Sequence, residues 1–178
     1  GDEDAYTKLY KLFIRDMFRY GSSLVTTSDA FVLDCIHDVF TEIWAKRNRL
    51  SVPDNVKYYL LKALKTRIMH LLERKERSFK QLSEVDMSMF EPNDLEILEE
   101  LELANSREER LKILIAQLPN RQQEALKLRY IENLNYSEIG SVLEVNPQSA
   151  KNLVFRAIEK LRGWIVLPFL NYFYIFLG

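Results

Sequence analysis

Two helix starts in close succession near the C-terminal end restrict the fold of this chain more than any other feature. Asn135, with Glu138 three residues on, is a capping-box pattern that opens a short helix over Tyr136–Leu143. Asn146-Pro147 pairs an N-cap with a first-turn proline and opens a second helix. Only Glu144 and Val145 lie between, which leaves room for a tight turn, the geometry of a helix-turn-helix. In the second helix Ala150, Leu153, Val154, Ala157, Ile158 and Leu161 recur at the spacing of one buried face. The opposite face holds Gln148, Lys151, Asn152, Phe155, Arg156 and Glu159. Lys, Asn, Gln and Arg are the side chains that read base edges or hold phosphates in a major groove. Burial does not explain Phe155 there, and its ring suits contact with a thymine methyl. The bland alternative is a helical hairpin with a solvated polar face; the short turn, the paired caps and Phe155 weigh against it.

The remaining chain shows the same period. No apolar–polar alternation is long enough for a sheet, and Gly and Pro number only five each in 178 residues. An all-α protein with two small helical domains is predicted. Helices are expected over about Asp4–Tyr20, Asp29–Arg47 and Val56–Lys75, with a polar loop at Gly21–Ser23. Their stripes include Tyr6, Tyr10, Phe13 and Met17, then Val32, Cys35, Ile36, Val39 and Phe40, then Leu60, Leu64 and Ile68. These can close a bundle of three to four helices within residues 1–76. Residues 77–93 lose the periodicity and read as a linker. A second domain over 94–163 would begin with helices at Asp94–Ala104 and from a Ser106/Glu109 capping box to about Gln117. Asn120 with Gln123 repeats the capping pattern ahead of Arg121–Tyr130.

A net charge of −1 argues weakly against nucleic acid, but the average hides blocks. Residues 42–80 carry eleven Lys/Arg against four Asp/Glu, and 81–110 carry two against ten. Residues 111–162 carry eight against five, and the last sixteen carry none. A basic segment, an acidic one and a mildly basic one suggest separate tasks. The single Cys35 completes an apolar stripe and forms no internal disulfide, so a reducing cytoplasm is expected. Gly1–Asp4 is acidic and does not read as the start of a signal peptide.

Several of these segments resemble a known family. Leu118-Pro119, Leu128-Arg129, Leu134–Gly140, Phe155-Arg156-Ala157 and Leu161-Arg162 resemble region four of sigma factors, closest to the extracytoplasmic-function group. Asp34–Phe40 with Ile43-Trp44, and Tyr58–Ala63 with Leu71, resemble region two of the same group. The resemblance spans roughly residues 5–162, with both motifs in the family order. It implies that the second helix of the helix-turn-helix reads the promoter −35 element through Lys151, Asn152, Phe155 and Arg156, with Gln148 beside them. Arg129 and Ser149 would hold phosphates. It further implies that Asp34, His37, Asp38 and Glu42 bind the β′ clamp helices of core RNA polymerase, and that region four meets the β flap. The melted −10 element would be taken by the loop Leu50–Asn55 and the basic helix after it, through Asp54, Asn55, Tyr58, Tyr59, Lys62, Lys65, Thr66 and Arg67. Aromatic platforms in a positive groove are what single strands require. The acidic linker would lie in the polymerase's basic channels. Family members are often held by an anti-sigma protein, so such a partner is implied here too. The chain departs from the pattern at His37, Thr66 and His70, where Gln, Asn and Asp are usual, which loosens the −10 assignments.

Other classes fit less well. Two His and one Cys offer no catalytic or metal cluster, Cys35 and His37 point in different directions on one helix, and no Gly-rich phosphate loop exists. Neither an enzyme, a cofactor, a metal site nor a small-molecule substrate is expected. A polymerase-independent helix-turn-helix regulator is the alternative, and predicts dimers on palindromic sites. Residues 164–178 form a hydrophobic tail whose Trp164–Leu177 stretch lacks charge. Its fourteen residues fall short of the ~20 that span a bilayer. Packing within the protein or on an oligomer mate is favoured over a partner or membrane surface. If the tail masks a functional surface, deleting 164–178 should raise transcription in vitro; unchanged or lower output from a folded variant counts against masking.

Overall fold

The computed structural model describes the backbone of residues 2–80 and 107–177 and the side chains of 2–74 and 108–164. Every regular element among them is an α-helix. In chain order these are α1 (Glu3–Ser22), α2 (Asp29–Lys46), α3 (Val56–Lys80), α4 (Arg107–Ala116), α5 (Asn120–Tyr130), α6 (Tyr136–Leu143) and α7 (Pro147–Leu177). The chain divides into two compact units between Val85 and Asp86.

In the N-terminal unit each helix packs against the other two. The helix starts are local: the Asp2 carboxylate accepts from the backbone N–H of Asp4 and Ala5, and the Ser28 hydroxyl from that of Phe31. Asn55 Oδ1 accepts from the Tyr58 N–H at 3.1 Å and opens α3. Met17 and Tyr20 from α1, Val32, Cys35, Ile36, Val39 and Phe40 from α2, and Leu60, Leu61, Leu64 and Ile68 from α3 form the core. Burying one such Leu or Ile contributes about 1.5–3 kcal/mol relative to leaving it in water. Tyr6, Tyr10, Phe40 and Trp44 extend this core as a chain of edge-on and tilted rings with centroids 4.9–6.0 Å apart.

Three expectations need correction here. Gly21 is not in a loop: α1 continues through it to Ser22, and Gly21 is buried. A Cβ at Gly21 would stand 2.6 Å from Val32 Cγ1 and 3.3 Å from Leu64 Cδ2, so the missing side chain is what lets α2 and α3 close on α1. The third helix runs to Lys80 rather than Lys75, since no Gly or Pro stops it. Asn120 does not cap the fifth helix; Pro119 takes that position with extended backbone and no side-chain bond. Gln123 instead donates to the carbonyls of Ala116 and Leu118 at 3.1 and 2.8 Å, closing the end of α4. Of the linker expected over 77–93, residues 77–80 belong to α3, and the remainder, the expected helix at 94–104 and the Ser106 cap lie outside the described residues.

An ion pair ties α1 to α3. The Asp16 carboxylate meets Lys57 Nζ at 2.8 Å and Arg19 Nη2 at 2.9 Å. Partial burial pushes its acidity toward a higher pKa, but the hydrogen bonds and charges of Lys57 and Arg19 outweigh this and hold it below the ordinary aspartate value. A depressed folded pKa means stability that is present above about pH 4 and lost as pH falls through the folded value. Asp16→Asn should therefore cost up to about 1 kcal/mol at neutral pH and less as acid is added. Urea melts of both proteins at pH 7 and pH 3 check it; a constant gap would refute it.

In the C-terminal unit α7 packs on α4, α5 and α6. Leu114, Leu118, Ala125, Leu126, Leu128, Leu134, Ile139, Val142, Leu143, Ala150, Val154 and Ala157 are buried there. The backbone of α7 passes the expected domain end at Gly163, and then Pro168, without a break. The tail's packing concerns side chains outside those described. Among the described residues no helix is long and apolar enough to cross a membrane.

Candidate nucleic-acid interface

The turn between α6 and α7 is built from backbone chemistry. Asn135 Oδ1 accepts from the Glu138 N–H at 2.9 Å, and Glu138 Oε2 accepts from the Asn135 N–H at 2.8 Å. The expected capping box is thus formed at both ends. Helix α6 stops at Glu144, which adopts the left-handed conformation (φ 56°, ψ 45°). That reversal lets the Val145 N–H donate to the Gly140 carbonyl at 2.8 Å. Asn146 Oδ1 then accepts from the Ser149 N–H at 2.7 Å, and Pro147 begins α7. A left-handed Glu is strained where Gly would not be. Glu144→Gly is expected to stabilise this unit by about 0.5–1 kcal/mol, read as a rise of a few degrees in its thermal transition. A fall in that temperature would refute the strain argument.

One arginine braces the turn and another the loop that leads into α6. Arg121 Nη2 donates to the Leu143 carbonyl at 2.6 Å, joining the start of α5 to the end of α6. Arg129 Nη1 donates to the Leu134 carbonyl at 2.9 Å, and its guanidinium lies 5.0 Å from the Tyr136 ring centroid. Arg129 therefore positions the loop before α6, whatever else it does. Asn133 in that loop also takes positive φ, at 58°.

With the turn fixed, α7 shows two faces. Ala150, Val154 and Ala157 are buried, and Leu153, Ile158 and Leu161 are half-buried. Gln148, Lys151, Asn152, Phe155, Arg156 and Glu159 are all exposed. Gln148 Nε2 donates to Asn152 Oδ1 at 3.1 Å along the outer face. Phe155 is 57 % exposed, an apolar ring among polar and cationic neighbours. Ser149 is half-buried, with its N–H already engaged by Asn146.

The N-terminal unit carries the other predicted residues. Asp34, His37, Asp38 and Glu42 are exposed on α2. His37 Nε2 lies 2.9 Å from the Tyr10 hydroxyl, with the two rings stacked. Glu42 pairs with Lys46 one turn on. The hydrogen bond and charge of Lys46 hold the Glu42 acid below its ordinary value against slight desolvation, helped by the charge of Arg67. Beside this face, a concavity of about 550 Å³ runs between α2 and α3. Val39, Glu42 and Ile43 line one side, and Tyr58, Tyr59, Lys62, Thr66, Arg67 and His70 the other. Lys62 Nζ is 3.5 Å from the Tyr58 hydroxyl, and the Thr66 hydroxyl donates to the Lys62 carbonyl. Lys65 is half-buried, Asp54 is exposed, and no residue of the 50–55 loop lines the concavity.

The structure brings together two groups that the sequence kept apart. Arg67 donates from Nε and Nη2 to the same Asp38 oxygen, at 2.9 and 2.6 Å. The Arg121–Leu143 contact and this ion pair escaped sequence reading, since the paired groups stand far apart along the chain. Among the described residues no group of three or more His, Cys, Asp or Glu is placed to hold a metal.

The chain is similar to known proteins in sequence and in fold. Residues 108–161 match the family described as sigma-70, region 4. The extracytoplasmic-function RNA polymerase sigma factor SigM of Bacillus subtilis (strain 168) is 20% identical over 156 residues, covering 88% of this chain and 92% of its own. In fold, the chain is similar to the sigma factor RpoE of Bartonella quintana, solved in complex with the anti-sigma factor NepR. That likeness has a TM-score of 0.64 at 16% identity, covering 90% of this chain and 96% of RpoE.

Proposed function

We propose that this chain, which belongs to the extracytoplasmic-function group of sigma factors and serves transcription initiation, grips a promoter at two points while bound to core RNA polymerase. The observation that carries the reading is the outward face of α7, where Lys151, Asn152, Phe155 and Arg156 stand exposed beyond a braced helix-turn-helix. Such a helix enters a major groove with its N-terminal half, so these four, with Gln148, meet the −35 bases. Ser149 and the remaining donors of Arg129 serve the flanking phosphates.

The N-terminal unit, within residues 1–76, takes the second point. Asp34, His37, Asp38 and Glu42 offer a mainly acidic helix face to the β′ clamp helices, and the C-terminal unit, within 94–163, also meets the β flap. Next to the acidic face, Tyr58 and Tyr59 supply rings and Lys62, Lys65 and Arg67 supply charge for the melted −10 strand. Taking a base out of the stack costs a few kcal/mol, which stacking and phosphate contacts return. Asp54, Asn55 and Thr66 border this path. Asn55 also caps α3, so the loop and the helix it opens are set by one side chain.

The chain does this without catalysis of its own and acts in the cytoplasm, where promoter and polymerase are. An anti-sigma protein, of the kind that the solved RpoE binds, fits as its restraint. Run-off transcription with purified core polymerase on a genomic promoter library tests the reading. Promoter-specific products that require the chain are expected; none from a chain that is folded would overturn it.

A further inference from the structure

The Asp38–Arg67 pair joins one member of the acidic α2 face to one member of the cationic α3 face. We propose that it is a latch: in the free chain Arg67 is held on Asp38, and a basic partner surface that takes Asp38 releases Arg67 to a phosphate of single-stranded DNA. The inference rests on the two faces having the roles just proposed.

The geometry favours a latch over a brace. Two of the three guanidinium nitrogens, Nε and Nη2, converge on a single carboxylate oxygen at 2.9 and 2.6 Å, across the gap from α2 to α3. Arg67 and Glu42 also line the same concavity, so the guanidinium lies near two of the four carboxylate and imidazole groups proposed to face the polymerase. Both ends are reachable, the Arg67 side chain being 39% and the Asp38 side chain 46% exposed. Pairs this exposed are weak and screened, so a competing cation displaces one end readily. A second inter-helix pair of this unit, Lys57–Asp16, is less exposed at 22% and 29% and touches neither face. The Lys46–Glu42 pair lies within α2 and links nothing. Asp38–Arg67 spends a DNA-facing cation on a polymerase-facing anion.

A shared residue of this kind makes the two bindings reciprocal: whatever polymerase gains for DNA, DNA gains for polymerase. It also lowers the affinity of the free chain for nucleic acid, since one cation is already neutralised.

The full-length chain, without polymerase, can be titrated with a fluorescent single-stranded DNA of mixed sequence. Asp38→Asn should tighten binding about three- to five-fold, the bias that an exposed ion pair supplies, and steepen the salt dependence by about 0.7 in log K against log salt, one extra phosphate contact. Losing a negative charge near DNA could do part of this alone, so the same change is made in an Arg67→Gln background, where the gain should vanish. Conversely, Arg67→Gln should tighten binding to core polymerase by a similar factor. Asp38→Ser repeats the test should Asp38→Asn fail to fold. A gain that persists with Gln at 67, or no gain at all, overturns the latch. If the wild-type chain fails to bind core polymerase, the proposed function falls as well; if it binds and transcribes while the coupling is absent, only the latch falls.

Discussion

Gly140→Val is expected to dismantle the helix-turn-helix while leaving the three-helix N-terminal unit folded. A Cβ at Gly140 would lie 2.7 Å from the Val145 carbonyl oxygen, 3.3 Å from the Asn146 carbonyl carbon and 3.3 Å from Pro147 N. All three are backbone atoms of the turn, so no side-chain rotation relieves the clash. The turn must open, and with it go the Val145–Gly140 hydrogen bond and the angle at which α7 leaves α6. Overpacking of this kind costs about 1–3 kcal/mol in a core that can shift. Here the obstacle is backbone next to a fixed proline, so the upper end or beyond is expected. The proposed −35 contacts depend on that angle, so duplex binding should fall by about two orders of magnitude, roughly 3 kcal/mol. Gly163→Ala is the control: nothing lies within 4 Å of a Cβ there, and Ala for Gly inside a helix adds up to about 1 kcal/mol. Thermal melts followed by circular dichroism, with a DNA footprint on each variant, check both. A Gly140→Val protein that melts and binds like the parent would show that the turn yields, and the argument would fail.

That turn also marks where sequence is informative. Asn135 with Glu138, and Asn146 with Pro147, could be read because each signal acts within one helical turn, side chain to neighbouring N–H. The same pattern misled at Asn120. Pro119 already fixes an extended entry (φ −53°, ψ 141°), and the Gln123 amide finds better acceptors in the unsatisfied carbonyls at the end of α4. Gly21 misled for a related reason. Glycine beside two serines looks like a breaker, whereas here it marks close approach of Val32 and Leu64, a fact about packing that no local pattern carries.

The candidate site divides along the same line. The outer face of α7 was legible because helical period alone assigns Ala150, Val154 and Ala157 inward and Lys151, Asn152, Phe155 and Arg156 outward, and their burial agrees. Which cation serves which purpose was not legible. Arg129 and Arg121 look alike in sequence, yet each donates to a carbonyl of the helix-turn-helix, Leu134 and Leu143. Arg67 reads as one more cation of a basic helix until α2 brings Asp38 beside it. Charge blocks show that a face is basic; only tertiary packing shows how much of that charge is already engaged.

Because Lys151, Phe155 and Arg156 on the outward face of α7 differ in chemistry, substituting them singly should give distinguishable outcomes. Arg156→Ala and Lys151→Ala should each cost about 1–3 kcal/mol at the preferred −35 element, roughly five- to 150-fold in affinity, if the side chain reads a base edge. In that case the loss is confined to promoters carrying that base and disappears at a mismatched position. A phosphate contact instead weakens all promoters alike and reduces the salt slope by about 0.9 per contact. Phe155→Ala carries no charge, so it should leave the salt slope unchanged and remove preference for thymine over uracil, which differ only by the methyl the ring would touch. Holoenzyme binding to a library randomised across the −35 element, at two salt concentrations, separates these outcomes. None of the changes should alter folding, since all three side chains are exposed and the buried stripe behind them is untouched. If all three variants bind the library as the parent does, α7 is not the reading helix, and the two-point grip loses its upstream half.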